Sequence, residues 1–229
     1  MDAAIAELAD KVGLSQTPCW KRIQRLEQQG VILGRVALVS PEKIGLGDFG
    51  KPGKYFARQV DRWTKQYRAS ETQHIPEFEK LAEWLPKTVP EQKRVSVVHG
   101  DYRLDNCMVA DDGHVVAVLD WELAHLGDPM EDLGWLCVKA WRFGAPKPVA
   151  GVGDYRDLID AYAAESGLEV DPDVVHWWEV LGTLKWGIMC IMQAQSHLSG
   201  AARSHELAAI GRRVCENEHD LFLALEGRW

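Results

Sequence analysis

Hydrophobic residues recur at helical spacing through most of this chain, and the exceptions are short. Ile5, Leu8, Ala9 and Val12 fall on one face of a helix that stops at Gly13. A second helix opens almost at once. Ser15 or Thr17 can cap it, Pro18 is tolerated in its first turn, and Cys19, Ile23 and Leu26 give it an apolar face before Gly30. Residues 31–39 then read as a short strand with a turn at Gly34. Gly45, Gly47, Gly50, Pro52 and Gly53 break every periodic pattern, which predicts one domain over 1–47, a linker over 48–53 and a second domain over 54–229. At the start of the second domain, Phe56, Val60, Trp63 and Tyr67 predict an amphipathic helix. Phe78, Leu81, Ala82 and Leu85 predict another that stops at Pro86.

Strand signals are confined to the middle of the chain. Residues 95–98 form a short buried run, and the runs 107–110 and 115–119 flank an Asp112-Gly113 step that signals a hairpin. A two-residue turn there would place Asn106 opposite Leu119 and Asp105 opposite Asp120. From Asp128 onward the pattern is helical, over 128–142, 154–166, 172–197 and 203–226. The first of these helices has Asp128 as a cap, Pro129 at its first position and Glu131 in position to close a capping box. The expected fold class is α+β, predominantly α, with a small β-hairpin.

Composition adds exclusions. With 229 residues, 46% hydrophobic and 26% charged, the chain has the make-up of a globular protein able to bury a core, and disorder and collagen-like repeats are excluded. The cysteines (Cys19, Cys107, Cys137, Cys190, Cys215) are odd in number, scattered and never in a C-x-x-C pair, which argues against a disulfide framework or structural zinc. No basic-then-apolar leader opens the chain. The longest apolar stretch, 181–194, is interrupted by Lys185 and falls short of the ~20 residues a membrane span needs. A cytoplasmic protein without membrane contact is expected, and nothing in the sequence sets its oligomeric state.

The net charge of −8 would disfavour a nucleic-acid partner if it were evenly spread, but it is not. Residues 1–47 carry +1 and the rest −9, and residues 11–35 hold five basic side chains against one acidic. Two short helices joined by a tight turn, the second bearing Lys21, Arg22 and Arg25 on its polar side, have the layout of a helix-turn-helix. Gln16, Thr17, Trp20 and Lys21 at the start of the second helix could reach base edges while Arg22 and Arg25 meet phosphates. A solvated helix face is the alternative. The run from Ile5 to Ile32, with Leu14-Ser15-x-Thr17-Pro18-Cys19 and Arg22-x-x-x-Leu26-Glu27-x-x-Gly30, resembles the DNA-binding domain of Lrp/AsnC-type transcription regulators over residues 3–47. It is expected to be partial, lacking that family's leading helix and its following ligand-binding domain. DNA is the partner this resemblance implies.

The second domain carries a different chemistry. His99-x-Asp101-x-x-x-x-Asn106 follows a predicted strand, and the hairpin brings Asn106 and Asp120 to one mouth. An amide carbonyl and a carboxylate are hard oxygen ligands suited to Mg²⁺. Phosphoryl transfer needs such ligands, a carboxylate to accept or orient a hydroxyl proton, and a cation against developing charge. With Asp120-x-Glu122 and the residues that follow, the motif resembles the aminoglycoside phosphotransferase-like branch of the protein-kinase-like superfamily over residues 49–229. That resemblance implies a kinase-like C-terminal lobe using ATP as phosphoryl donor, Mg²⁺, and a small-molecule hydroxyl as acceptor. It makes Asp101 the catalytic base, Arg103 the cation at the transferring phosphate, and Asn106, Asp120 and Glu122 the metal ligands. His99 and Asp132 would support the loop. Trp135, Trp141, Trp177, Trp178 and Trp186 read as core or pocket wall. Residues 1–48 hold no strand set and no strand lysine of the kind that grips ATP in such enzymes, so the N-terminal nucleotide lobe is expected to be absent. Two other classes remain open: a DNA-binding regulator with a kinase-like ligand-sensing module, and a non-functional fusion.

Overall fold

A computed structural model describes residues 53–71 and 74–228. The predicted helix-turn-helix, with Gln16, Thr17, Trp20, Lys21, Arg22 and Arg25, lies outside the described residues.

The elements in chain order are α1 (Tyr55–Ser70), α2 (Pro76–Trp84), β1 (Ser96–Val98), β2 (Cys107–Val109), β3 (Val115–Val118), β4 (His125–Gly127), α3 (Met130–Cys137), α4 (Tyr155–Ser166), α5 (Pro172–Leu198), α6 (His205–Gly211) and α7 (Val214–Leu225). Helix α5 is the axis of the core. It buries Val175, Trp177, Trp178, Val180, Leu181, Leu184, Ile188 and Ile191 around most of its circumference, as a helix enclosed by others must. Helices α1, α3, α6 and α7 pack on it. The apolar stripe of α1 supplies Phe56, whose ring lies 5.3 Å from that of Trp177 and 4.8 Å from that of Trp178. Helix α3 approaches α5 closely because Gly134 has no side chain. A Cβ there would sit 2.4 Å from Trp178 Cβ and 2.8 Å from Glu179 N.

Two small antiparallel sheets carry the loops. In one, β1 pairs with β4, Ser96 opposite Gly127 and Val98 opposite His125. The chain leaving β1 at His99 therefore starts beside the segment that enters β4 at His125. The other sheet is the hairpin of β2 and β3, with Cys107 opposite Val118 and Met108 opposite Ala117.

Several sequence expectations need correction. The hairpin loop is not the two-residue Asp112-Gly113 turn. Ala110 N donates to His114 O at 2.8 Å across the three residues 111–113, with Gly113 at φ 88°. Val109 then faces Val115, and Val116 is the extra residue that restores the expected register from Met108 onward. Leu119 N donates to Asn106 O at 2.8 Å, but the ladder ends there. Asp105 sits in a 3₁₀ turn (Leu104–Asn106) and pairs with Arg103 rather than facing Asp120. The helix expected over 128–142 ends at Cys137 and resumes as the 3₁₀ turn Lys139–Arg142, and the one expected over 203–226 is broken by a turn at Arg212 and Arg213. No capping box forms at α3: Asp128 Oδ1 accepts from Met130 N at 2.9 Å, while the Glu131 carboxylate turns inward. Strand β4, three residues long, is absent from the sequence reading.

Candidate active site

The loop after β1 is held at its backbone. Asp132 Oδ2 accepts from His99 N at 2.8 Å and Oδ1 from Gly100 N at 3.0 Å. Burial raises the Asp132 carboxyl to about 6 against the pull of those two N–H donors. Gly100 adopts φ 83°, a conformation that favours glycine, and a Cβ there would sit 2.7 Å from Leu123 O. His99 is buried. Its Nδ1 accepts from Asp101 N at 3.2 Å, which leaves Nε2 to donate to Leu119 O at 2.7 Å and tie the loop to the end of β3.

This backbone presents Asp101 with three side-chain donors on its carboxylate. Trp135 Nε1 donates to Oδ1 at 2.8 Å, Asn106 Nδ2 to Oδ2 at 2.9 Å, and Arg103 Nε to Oδ2 at 3.3 Å. Asn106 Nδ2 also donates to Asp101 O at 2.9 Å. With Nδ2 committed, Oδ1 is the Asn106 atom able to ligate a cation. Arg103 reaches Asp105 as well, NH1 to Oδ2 at 2.6 Å, and its guanidinium lies 5.0 Å from the centre of the Trp141 ring.

Asp120 follows Leu119, the residue bonded to Asn106, and has φ 64°, a left-handed conformation that Asp tolerates better than most residues. Its side chain is exposed, as is that of Glu122 in the next turn (Trp121–Leu123). The hairpin thus brings Asn106 and Asp120 to adjacent strand ends and places Glu122 two residues beyond. All three offer hard oxygen donors, Asn106 buried and Asp120 and Glu122 exposed, so the donor set fits Mg²⁺.

Beside Asp101 lies a cavity of about 310 Å³ bounded by Arg103, Trp135, Trp141, Lys185, Trp186 and Arg213. A larger one, about 460 Å³, is lined by Trp84 and Trp177 and shares no residue with the Asp101 loop. The smaller cavity is the one that Asp101 lines. The Arg213 guanidinium lies 5.8 Å from the centre of the Trp186 ring, and the indole N–H groups of Trp141 and Trp186 are buried without a hydrogen-bond partner among the described residues. The wall is mainly apolar, with the cations Arg103, Lys185 and Arg213 and the carboxylates Asp101 and Asp105 among its residues.

Sequence reading missed a second set behind the loop. Glu131, which the sequence suggests as a capping residue, accepts from Tyr55 Oη and pairs with His125 Nε2 at 3.3 Å and Lys185 Nζ at 3.9 Å. Burial alone would raise its carboxyl, but the His125 hydrogen bond, Lys185 and Tyr55 together hold it below the ordinary value. Burial lowers the Lys185 ammonium, opposed by Glu131, Asp101 and Asp132. The available signal for Lys185 was its isolation in an apolar helix.

A loop carboxylate held by three side-chain donors thus stands beside a cavity, with an amide and a second carboxylate on neighbouring strand ends. The chain belongs to the phosphotransferase enzyme family, whose sequence pattern matches residues 13–178. A candidate aminoglycoside phosphotransferase from Ralstonia eutropha JMP134 has a similar solved structure, with a TM-score of 0.69 and 35% identity, the match covering 79% of this chain and 58% of that one. Acyl-CoA dehydrogenase family member 10 of Mus musculus is 49% identical over 108 residues, 47% of this chain and 10% of that protein. The chain spans between 10% and 25% of the length of seven acyl-CoA dehydrogenase relatives. A separate match, 57% identical over 44 residues, covers 19% of this chain and 29% of the DNA-binding transcriptional activator DecR of Escherichia coli K12. Among the described residues no helix is long and apolar enough to cross a membrane.

Proposed function

We propose that this chain transfers the γ-phosphoryl group of ATP to a hydroxyl of a small molecule, with Asp101 as the base. The observation that carries the reading is the Asp101 carboxylate, oriented by Trp135, Asn106 and Arg103 at the edge of the cavity. A base must lie within hydrogen-bond reach of the proton it takes, and an acceptor hydroxyl entering this cavity meets that carboxylate. Arg103 stands beside it to meet negative charge as the phosphoryl group moves. The guanidinium groups of Arg103 and Arg213 among the lining residues suit an oxygen-bearing acceptor.

Asn106 and Asp120 would hold Mg²⁺, with Glu122 assisting. The ion would neutralise the phosphate oxygens of the nucleotide. His99 and Asp132 take no proton from the substrate in this reading. They fix the backbone on either side of Gly100, so that Asp101 is aimed before the acceptor arrives. The test is transfer of labelled γ-phosphate from ATP to a panel of neutral, cationic and anionic hydroxyl compounds. Mg²⁺-dependent transfer to at least one is expected, and none at any Mg²⁺ concentration would contradict the reading.

The DecR match and the basic surplus over residues 11–35 favour a second, separate activity, DNA binding through Gln16, Thr17, Trp20, Lys21, Arg22 and Arg25. Affinity for duplex DNA should then fall steeply with salt and weaken in Arg22→Ala/Arg25→Ala. Binding that is salt-insensitive, or untouched by the double substitution, would rule this activity out.

A further inference from the structure

Helix α5 is apolar through its middle, and Lys185 interrupts it with a side chain only 13% exposed. A buried ammonium is costly unless charge and hydrogen-bond partners surround it, and a methionine of similar length would fill the space without that cost. The contacts of Lys185 are specific. Nζ lies 3.4 Å from Gly100 O, 3.9 Å from Glu131 Oε1 and 4.4 Å from the centre of the Trp135 ring. Gly100 immediately precedes Asp101, and Trp135 Nε1 is the donor to Asp101 Oδ1. One ammonium thus touches both the backbone before Asp101 and the face of the indole that holds its carboxylate.

We infer that Lys185 is a positioning residue for Asp101: by holding Gly100 O and the Trp135 ring together, it fixes the direction in which the carboxylate faces the acceptor cavity. The inference rests on the reading of Asp101 as base. The Gly100 peptide groups are then gripped from both sides, N–H by Asp132 and C=O by Lys185. Glu131 supplies the counter-charge that keeps the ammonium in place, and Tyr55 and His125 hold Glu131 in turn. A cation–π contact and one hydrogen bond are each modest in water but stronger when desolvated. Their value here is geometric, because a displacement of about 1 Å at a reacting group can cost about 10²-fold in rate.

The test reads the indole directly. In protein carrying ¹⁵N-tryptophan, the Trp135 Nε1–H resonance is assigned by its loss in Trp135→Phe. In Lys185→Met it should move, and its solvent exchange should quicken roughly tenfold or more. Lys185→Arg, which keeps charge and donors, should retain the wild-type signal. Because Lys185→Met leaves Glu131 buried without its cation, Lys185→Met/Glu131→Gln is measured beside it. Phosphate transfer by the Met variants should show kcat lowered by about 10²-fold with the KM for ATP within about twofold. An indole resonance and exchange rate unchanged in both Met variants would overturn the inference. An indole that responds in a protein whose wild type transfers no phosphate would instead leave Lys185 as the clamp of the loop and remove the phosphotransferase reading.

Discussion

At the scale of single residues the site divides by sequence distance. Asp101, Arg103 and Asn106 lie within six positions, and the structure joins them in one hydrogen-bonded group. Such a group is legible in a sequence because the short loop allows its members little freedom to separate. Lys185, 85 residues from Gly100, Trp135 and the inward turn of Glu131 were not legible as a set. Their contacts depend on how α3 and α5 pack, and nothing local dictates that. Glu131 misleads most, since its spacing from Asp128 matches a cap while burial and three partners draw it the other way. As the proposed base, Asp101 would act in transfer and not in holding nucleotide. Asp101→Asn should therefore lower kcat for phosphate transfer by about 10²–10⁴-fold while the KM for ATP stays within about twofold. Steady-state kinetics decide it, and a variant that loses ATP affinity but keeps kcat would refute the assignment.

At the scale of elements, the long periodic segments were legible, and what failed was short or junctional. Helices α4 and α5 fall within a residue of where their apolar spacing puts them, and α1 contains all four of its marker residues, Phe56, Val60, Trp63 and Tyr67. Strand β4 is three residues, too few for a period, and is fixed by pairing with β1. The Asp-Gly step located the hairpin but misjudged its loop, because a bulge at Val116 compensates for one extra loop residue. The start of α3 gives a testable consequence. Asp128 is 4% exposed, and burial raises its carboxyl to about 6 although Met130 N–H opposes it. A carboxyl that holds its proton more tightly in the folded than in the unfolded chain adds stability that is complete below about pH 4 and is lost as pH rises through about 6. Urea denaturation of wild type and Asp128→Asn, compared at pH 7 and pH 4, should show the wild type gaining about 2 kcal/mol relative to the variant at the lower pH. Asp132 is raised in the same way but is present in both proteins and cancels. An unchanged difference would show that Asp128 is not perturbed.

At the scale of the whole molecule, one helical core supports a loop, a hairpin mouth and a cavity that together suit phosphoryl transfer. The described residues carry candidate metal ligands and base on the same small β elements, while α3 and α5 supply the residues that aim them. The family is shown over residues 13–178, and nucleotide use is the step the proposal adds. That step turns on Asn106 and Asp120 acting on a nucleotide through Mg²⁺, so the decisive measurement is a calorimetric titration of the full chain with ATP, with and without Mg²⁺, for wild type and Asp120→Ala. Saturable binding in the micromolar to millimolar range common for enzyme substrates is predicted for wild type with Mg²⁺, lost on chelation and in Asp120→Ala. No binding by wild type at about millimolar nucleotide, or equal binding by Asp120→Ala or without Mg²⁺, would contradict the account.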